Sequence, residues 1–184
     1  QILDLGVFKT LCGRIAELQK WFTDRGMNIA NLNLGGGLGV DYVNPNENPI
    51  ASFEEYFKLI NENLIVAPGQ NVHFEPGRAI VAQCGHLISR VLYVKVGQKK
   101  KFAILDAGMN DLIRPALYQA HHAIENLTSS YKRKMRYDVV GPVCESSDQF
   151  GKNIMLPQTS RGDLIALHTA GAYKRALRHQ RTCL

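Results

Sequence analysis

The chain has 184 residues and a mass of 20.5 kDa, the size of one large domain or two small ones. Apolar residues make up 45% and charged residues 21% of the sequence, which excludes a disordered or low-complexity protein. No apolar run approaches the roughly 20 residues that a membrane-spanning helix needs. We therefore expect a globular protein with no membrane partner.

The net charge of +6 is concentrated at one end of the chain. Residues 174–184 contain four basic residues and no acid, and their removal leaves 18 basic against 16 acidic residues. The other basic cluster, Lys99, Lys100 and Lys101, lies between two predicted strands and is typical of a solvated hairpin turn. Because nucleic-acid binders spread their charge along a face with interleaved aromatic residues, we expect no nucleic-acid partner.

The four cysteines, Cys12, Cys84, Cys144 and Cys183, are widely and irregularly spaced. The absence of a CxxC pair argues against a structural metal site and against a dense disulfide framework. Thiols without disulfides are typical of a cytoplasmic protein, which is the location that we expect.

The first part of the sequence alternates helical and strand patterns. Residues 5–23 have apolar side chains at helical spacing, and residues 29–34 and 72–74 are short strand patterns. Ser52 and Glu55 form a capping box that predicts the start of a second helix. This alternation is typical of a parallel βα architecture.

The second part is dominated by strand patterns. Residues 87–96, 102–105, 137–143 and 164–168 are rich in Val, Ile, Leu and Tyr and are separated by turns. Only residues 111–127 have a helical pattern here. We therefore predict a mostly antiparallel β domain, a sandwich or a barrel, after the end of an α/β barrel.

Two motifs follow predicted strands in the first part. The sequence GGGLG at residues 35–39 lets backbone N–H groups approach a phosphate closely, although a flexible turn has the same composition. The sequence EPGR at residues 75–78 places a carboxylate and an Arg where βα barrels build active sites. The alternative for this motif is a turn with an internal ion pair.

The second part contains three further motifs, at residues 106–118, 141–148 and 170–173. In DAGMNDLIRPALY the Arg and the final Tyr are four residues apart and share one helix face, which suits a ligand carboxylate; the alternative is a surface Arg packed on a Tyr ring. In GPVCESSD the Cys could donate a proton beside an amine-binding carboxylate, or it could be a small buried hydrophobe. In AGAY the Tyr could bind a phosphate or line a rim.

The order of these five motifs resembles the diaminopimelate decarboxylases, a family of pyridoxal-phosphate (PLP) enzymes with the alanine-racemase-like type III fold. The resemblance runs from residue 1 to residue 173 and covers less than half of a family member. It implies the C-terminal part of a PLP-binding (β/α)8 TIM barrel over residues 1–84, followed by much of an antiparallel β-sandwich or barrel domain over residues 85–173. Residues 174–184 match nothing in the family and form a divergent basic tail.

The resemblance also implies a reaction and a role for each motif residue. The reaction is the PLP-dependent decarboxylation of meso-2,6-diaminopimelate to L-lysine and CO₂, the last step of lysine biosynthesis. The residues that would contact the cofactor are Gly35, Gly36, Gly37, Glu75, Pro76, Gly77, Arg78 and Tyr173. Those that would contact the small-molecule substrate are Arg78, Arg114, Tyr118, Glu145 and Tyr173. Cys144 would be the proton donor, and family members share active sites across a homodimer, to which one subunit contributes Cys144 and Glu145.

One feature qualifies this assignment. The family's cofactor-binding lysine lies in an earlier segment of the barrel, and no lysine of this sequence matches it, so we expect the chain alone to be inactive. The alternatives are a related ornithine, arginine or carboxynorspermidine decarboxylase and a non-catalytic binding protein on the same fold. Arg114 together with Glu145 favours diaminopimelate, whose distal carbon carries both a carboxylate and an ammonium, because an unpaired buried charge is costly.

Overall fold

The chain forms two units in the computed structural model, which describes residues 1–48 and 50–173. The first unit comprises residues 1–40 and 48–80, and the second comprises residues 41–47 and the chain from residue 81 onward. The basic tail that we predict at residues 174–184 lies outside the described residues. The predicted domain boundaries after residues 84 and 173 stay predictions.

The first unit alternates helices and strands as its sequence predicts. The parallel strands pair Asn31 with Asn71 and Asn33 with His73. The first two helices pack through buried aromatic rings, with Phe8 and Tyr56 edge to face at a centroid distance of 4.8 Å. The elements in chain order are α1 (Gly6–Thr23), β1 (Asn31–Asn33), α2 (Phe53–Asn63), β2 (Asn71–His73) and the short α3 (Gly77–Val81), which ends in the second unit.

The predicted capping box of α2 is not formed. Ser52 is the residue before the helix, as predicted, but its side chain makes no capping hydrogen bond. The first turn carries Glu54 and Glu55, whose negative charges are favourable at a helix N-terminus. The start of α2 is therefore favoured by two acidic side chains and not by the predicted hydrogen bonds between Ser52 and Glu55.

The second unit is built on one six-stranded sheet. Its strand order is β5-β8-β3-β4-β6-β7. All neighbouring strands are antiparallel except β4 and β6, which are parallel. The predicted β domain is thus confirmed as a mixed sheet. Its elements are β3 (Leu87–Val96), β4 (Lys101–Leu105), α4 (Arg114–Tyr118), β5 (Ile124–Asn126), β6 (Lys134–Val140), β7 (Gln149–Pro157) and β8 (Leu164–Leu167).

The core of this unit is formed largely by side chains of the central strands. Val91, Leu105, Val139, Ile165 and Leu167 are almost completely buried together. The Lys-rich segment between β3 and β4 is a hairpin turn, as predicted, closed by a hydrogen bond of 2.8 Å from the Gly97 N–H to the Lys100 carbonyl.

The long helix predicted over residues 111–127 is wrong. Only α4 is helical, and Gln119 ends it in a left-handed conformation with φ 50°. Residues 124–126 instead form β5, which pairs with β8. No helix in the described ranges is long and apolar enough to cross a membrane.

Candidate functional site

The glycine loop and the EPGR motif meet at one end of the parallel strand pair. The loop follows β1 and the EPGR motif follows β2, and carboxyl ends of parallel strands lie at the same edge of a sheet. The Leu34 N–H donates to the His73 carbonyl at 3.0 Å, and the Glu75 N–H donates to the Gly35 carbonyl at 2.7 Å. The two motifs therefore lie side by side.

The carboxylate of Glu75 is oriented by Asn33, which lies outside the predicted site residues. Asn33 Nδ2 donates to Glu75 Oε1 at 2.7 Å, and the Gly35 N–H donates to Asn33 Oδ1 at 2.8 Å. One amide thus connects the glycine loop to the carboxylate. The sequence feature that points to Asn33 is its position at the end of a strand, two residues before the glycine run.

The geometry of this loop suits a phosphate. Gly35 and Gly37 have φ angles of 67° and 99°, conformations that favour glycine. A Cβ on Gly36 would collide with the Glu75 carbonyl oxygen, whereas the space beside Gly35 is open within 4 Å. Glycine backbone at a strand end and an exposed carboxylate beside it fit the phosphate and ring nitrogen of PLP. Arg78 lies half-buried on α3.

Arg114 is a buried cation in the second unit. Its side chain starts from α4, and the residue is 9% exposed. The guanidinium carbon lies 4.3 Å from the centre of the Tyr42 ring, a cation–π contact. Tyr118, four residues later, is 70% exposed, so Arg114 packs on a different tyrosine from the one in its motif.

His122 contacts the same guanidinium. Arg114 Nη1 lies 3.2 Å from His122 Nε2, and His122 Nδ1 lies 2.8 Å from the His168 carbonyl. Since the guanidinium can only donate, Nε2 accepts and the proton is on Nδ1. Burial is the main cause that lowers the pKa of His122 to about 4. The imidazole is therefore neutral at pH 7.

Cys144 and Glu145 lie on the exposed loop between β6 and β7. The Glu145 N–H donates to the Val143 carbonyl at 2.8 Å, and Glu145 Oε1 accepts the Ser147 N–H at 3.3 Å. The thiol of Cys144 forms no disulfide. Both side chains are therefore accessible at the surface of this unit.

Asp148 holds that loop against the DAGMN segment. Its carboxylate accepts the Met109 N–H at 2.6 Å and the Val143 N–H at 2.8 Å, and the residue is 3% exposed. A Cβ on Gly141 would collide with this carboxylate, which explains the glycine there. Local sequence does not reveal this role of Asp148, because one of its backbone partners, Met109, lies 39 residues away.

The AGAY segment packs on the start of the second unit. The Ala170 N–H donates to the Gly85 carbonyl at 2.7 Å, and the Gly171 N–H donates to the Ala82 carbonyl at 2.8 Å. A Cβ on Gly171 would collide with the Val81 carbonyl oxygen. Tyr173 follows with φ 62° and is 59% exposed.

The candidate residues thus fall into two groups, one in each unit. The glycine loop and the EPGR motif are joined in the first unit, and Arg114, Tyr118, Cys144, Glu145 and Tyr173 belong to the second. Within the described ranges, no group of three or more His, Cys, Asp or Glu side chains is arranged to hold a metal ion.

A glycine loop at a strand end and a mixed sheet domain with a buried Arg are the features to compare with known proteins. Residues 9–171 match the family of pyridoxal-dependent decarboxylases over its C-terminal sheet domain, and the chain belongs to this family. Within it, the chain is similar to diaminopimelate decarboxylases, as its motifs predict. The relative from Bacteroides thetaiotaomicron is 58% identical over 94% of this chain and 45% of the relative.

Further relatives and solved structures to which the chain is similar are also diaminopimelate decarboxylases. The Helicobacter pylori diaminopimelate decarboxylase is 41% identical over 98% of this chain and 44% of the relative. The crystal structure of the H. pylori enzyme complexed with L-lysine has a TM-score of 0.83 at 42% identity, covering 95% of this chain and 42% of that one. The crystal structure of diaminopimelate decarboxylase from m. jannaschii, also in co-complex with L-lysine, has a TM-score of 0.80 at 30% identity over 96% of this chain and 41% of that one. The chain spans less than half the length of the curated relatives that it matches.

Proposed function

We propose that the protein provides the sheet-domain half of a diaminopimelate decarboxylase, which converts meso-2,6-diaminopimelate to L-lysine and CO₂ with PLP in a homodimer. The observation that carries this proposal is that Arg114 is a buried cation with no carboxylate partner in the described residues. Because buried charges require a counter-charge, a carboxylate supplied by the substrate explains this Arg.

The two charges at the distal carbon of diaminopimelate fit two side chains of the second unit. The carboxylate would pair with Arg114, and the ammonium would pair with Glu145. Ornithine has a lone distal ammonium and would leave the guanidinium unpaired. A site built for a charged group rejects the analogue that lacks it, so the buried Arg favours diaminopimelate over ornithine.

The residues of the first unit would hold the cofactor. PLP, when bound, supplies an electron sink for the loss of CO₂. The backbone of Gly35, Gly36 and Gly37 would bind the phosphate, and Glu75 would keep a proton on the ring nitrogen. Asn33 supports this role because it fixes one carboxylate oxygen by a hydrogen bond of 2.7 Å. Arg78 would bind near the phosphate and the substrate's proximal carboxylate.

The exposed loop that carries Cys144 and Glu145 would complete the site of the other subunit. The Cys144 thiol would deliver a proton to the carbon that has lost its carboxylate, a general-acid role. The exposure of both side chains supports a contribution to another subunit, because neither is enclosed by its own. Tyr118 and Tyr173, which are also exposed, would contact the substrate and the cofactor phosphate.

The proposal is tested with a fusion protein, in which this chain follows the part of the B. thetaiotaomicron relative that precedes its match. We expect this fusion protein to release CO₂ and L-lysine from meso-diaminopimelate and to leave ornithine, arginine and lysine nearly untouched. The chain alone, with added PLP, is the inactive control. Faster turnover of ornithine than of diaminopimelate, or a soluble PLP-loaded fusion protein without activity, would contradict the proposal.

A further inference from the structure

We propose that His122 is a positioning residue, which fixes the guanidinium of Arg114 for the distal carboxylate of the substrate without cancelling its charge. This inference rests on the proposed function, since it assumes that Arg114 binds that carboxylate. His122 lies outside the five motifs that carry the family resemblance, and it touches Arg114 alone among the proposed site residues.

Two contacts restrain the guanidinium of Arg114. Its carbon lies 4.3 Å from the centre of the Tyr42 ring, and His122 accepts one of its N–H groups at 3.2 Å. A guanidinium has five N–H donors, and His122 engages one of them. A carboxylate that binds in a bidentate manner needs two parallel N–H groups, so the single contact with His122 is compatible with such binding.

His122 is itself held in place on two sides. Its Nδ1–H donates to the His168 carbonyl at 2.8 Å, and its ring meets the Tyr42 ring edge to face at a centroid distance of 5.0 Å. The residue is 1% exposed. Its ring therefore cannot turn away from the guanidinium without losing a buried hydrogen bond, which makes it a rigid support.

A neutral acceptor is the appropriate partner for a charge that must stay available. A carboxylate at the position of His122 would pair with Arg114 and compete with the substrate, and a protonated imidazole would repel the guanidinium. A neutral imidazole gives direction without a counter-charge. Misplacement of a binding group by about 1 Å can cost 100-fold in rate, so such a support has a measurable effect.

Three substitutions separate the hydrogen bond that His122 accepts from Arg114 from the one that it donates to the His168 carbonyl. His122→Gln places a carbonyl near the position of Nε2 and keeps an acceptor for Arg114, whereas His122→Asn keeps a donor for the His168 carbonyl but cannot reach the guanidinium. His122→Leu removes both. In the fusion protein we expect kcat/KM for diaminopimelate to fall roughly 10-fold to 100-fold with Leu and Asn and to recover substantially with Gln, while PLP affinity stays unchanged.

A double-mutant cycle decides whether His122 acts through Arg114. In an Arg114→Ala background, His122→Leu should cause no further loss of kcat/KM, because its effect has already been removed. His121→Gln, an exposed neighbour, is the matched control with unchanged kinetics. Full additivity in the cycle, or equal activity of the Leu and Gln variants, would overturn the proposal. A harmless Arg114→Ala would instead contradict the proposed role of Arg114.

NMR of the chain alone tests the tautomer of His122 and its hydrogen bond with Arg114. At pH 7 the ¹⁵N shifts of His122 should show a proton on Nδ1 and none on Nε2, and His122→Asn should shift the guanidinium resonances of Arg114. The same resonances should be nearly restored in His122→Gln. A proton on Nε2, or Arg114 resonances that are insensitive to all three variants, would overturn the inference even if the fusion protein shows no activity.

Discussion

Asp148 and Asn33 act on backbone and carboxylate groups rather than on a ligand, and each joins two segments of the candidate site. Asn33 connects the glycine loop to Glu75 within the first unit. Asp148 connects the loop of Cys144 to Met109 within the second. Such residues fix the geometry of a site through a few hydrogen bonds, so their replacement acts at a distance.

Asp148→Asn should destabilise the second unit. The amide can accept only through its oxygen, so one of the two N–H groups that the carboxylate now satisfies loses its acceptor, at a cost of about 1–3 kcal/mol. Urea unfolding of the chain measures this loss. Asp24→Asn, which removes a surface ion pair with Lys20, should cost less than about 0.5 kcal/mol, and an equal effect of both variants would refute the assignment.

Arg114→Ala should separate substrate binding from cofactor binding in the fusion protein. Removal of one partner of a buried ion pair costs roughly 3–5 kcal/mol, and we expect this loss in kcat/KM for diaminopimelate. PLP affinity, measured by absorbance titration, should stay near that of the parent because Arg114 is assigned to the substrate. If PLP affinity falls as far as kcat/KM, the residue has another role.

His122 should make the stability of the chain pH-dependent between about pH 6.5 and pH 4. Its pKa falls from an ordinary 6.5 to about 4 in the folded chain, mainly through burial, with Arg114 and His121 adding repulsion and the His168 carbonyl opposing the shift. The unfolded chain therefore binds a proton that the folded chain excludes. This contribution to stability is complete above pH 6.5 and is lost as the pH falls toward 4, by roughly 3 kcal/mol.

The test compares the parent chain with His122→Gln, whose side chain does not titrate. The difference in the free energy of unfolding between the two should narrow steadily as the pH is lowered from 7 to 4. His73→Gln serves as the control because His73 is an exposed histidine of the first unit and is not among the groups that shift the pKa of His122. A pH profile that is parallel for the parent and His122→Gln would show that His122 titrates normally.

At the scale of elements, the glycine loop should tolerate no side chain at its centre. Gly36→Ala adds a Cβ that collides with the Glu75 carbonyl oxygen, and overpacking of this kind costs about 1–3 kcal/mol. We expect weaker PLP binding in the fusion protein and lower stability of the chain. Gly13→Ala is the matched control, since Gly13 is exposed within α1 and its Cβ meets nothing within 4 Å.

This control should be neutral or slightly stabilising, because Ala exceeds Gly in helix propensity by up to about 1 kcal/mol. Thermal unfolding of both variants gives the comparison. Gly36→Ala that unfolds at the parent temperature and binds PLP with parent affinity would show that the loop shifts freely to accept a side chain.

The local sequence pattern predicts a helix or strand well when the residues of that segment alone determine its conformation. The run Leu87–Val96 is both predicted and observed as β3, because its β-branched and apolar residues suit a strand wherever it pairs. β7 is missed, since Gly151, Lys152 and Asn153 interrupt its apolar pattern and Asn153 has φ 54°. Its existence depends on pairing with β6, which the segment itself does not encode.

The predicted helix over residues 111–127 fails for a related reason. Its spacing continues beyond α4, but Gln119 turns the chain into the left-handed region, and His122 is drawn into the core by the His168 carbonyl. Contact with a residue 46 positions away overrides local propensity. The motif residues of the candidate site are visible in sequence, whereas the supports Asp148 and His122 become visible only once distant segments meet.

At the scale of the whole molecule, the exposed loop of Cys144 and Glu145 predicts complementation between subunits. A fusion protein with Cys144→Ala and one lacking the cofactor-binding lysine of the relative's segment should both be inactive. Random mixing makes half of the dimers mixed, and each mixed dimer has one intact site of two, so up to roughly a quarter of the parent activity should return.

Activity is measured after subunit exchange, which a fluorescent label on each partner monitors independently. Cys144→Ala alone should lower activity about 100-fold to 10,000-fold, as for a general acid, with little effect on dimerisation because the side chain is small and exposed. Exchange without any recovery of activity would mean that Cys144 serves the site of its own subunit.

The position of β8 in the sheet has a consequence for synthesis on the ribosome. β8 is the last strand in the described sequence, yet it lies between β5 and β3 and pairs with both. The β3–β4 hairpin is complete about 60 residues before β8 is made, an interval of roughly 3–12 s at ~5–20 residues per second. During this time one edge of β3 is open to pairing with another chain, an exposure that ends when β8 takes its place beside β3.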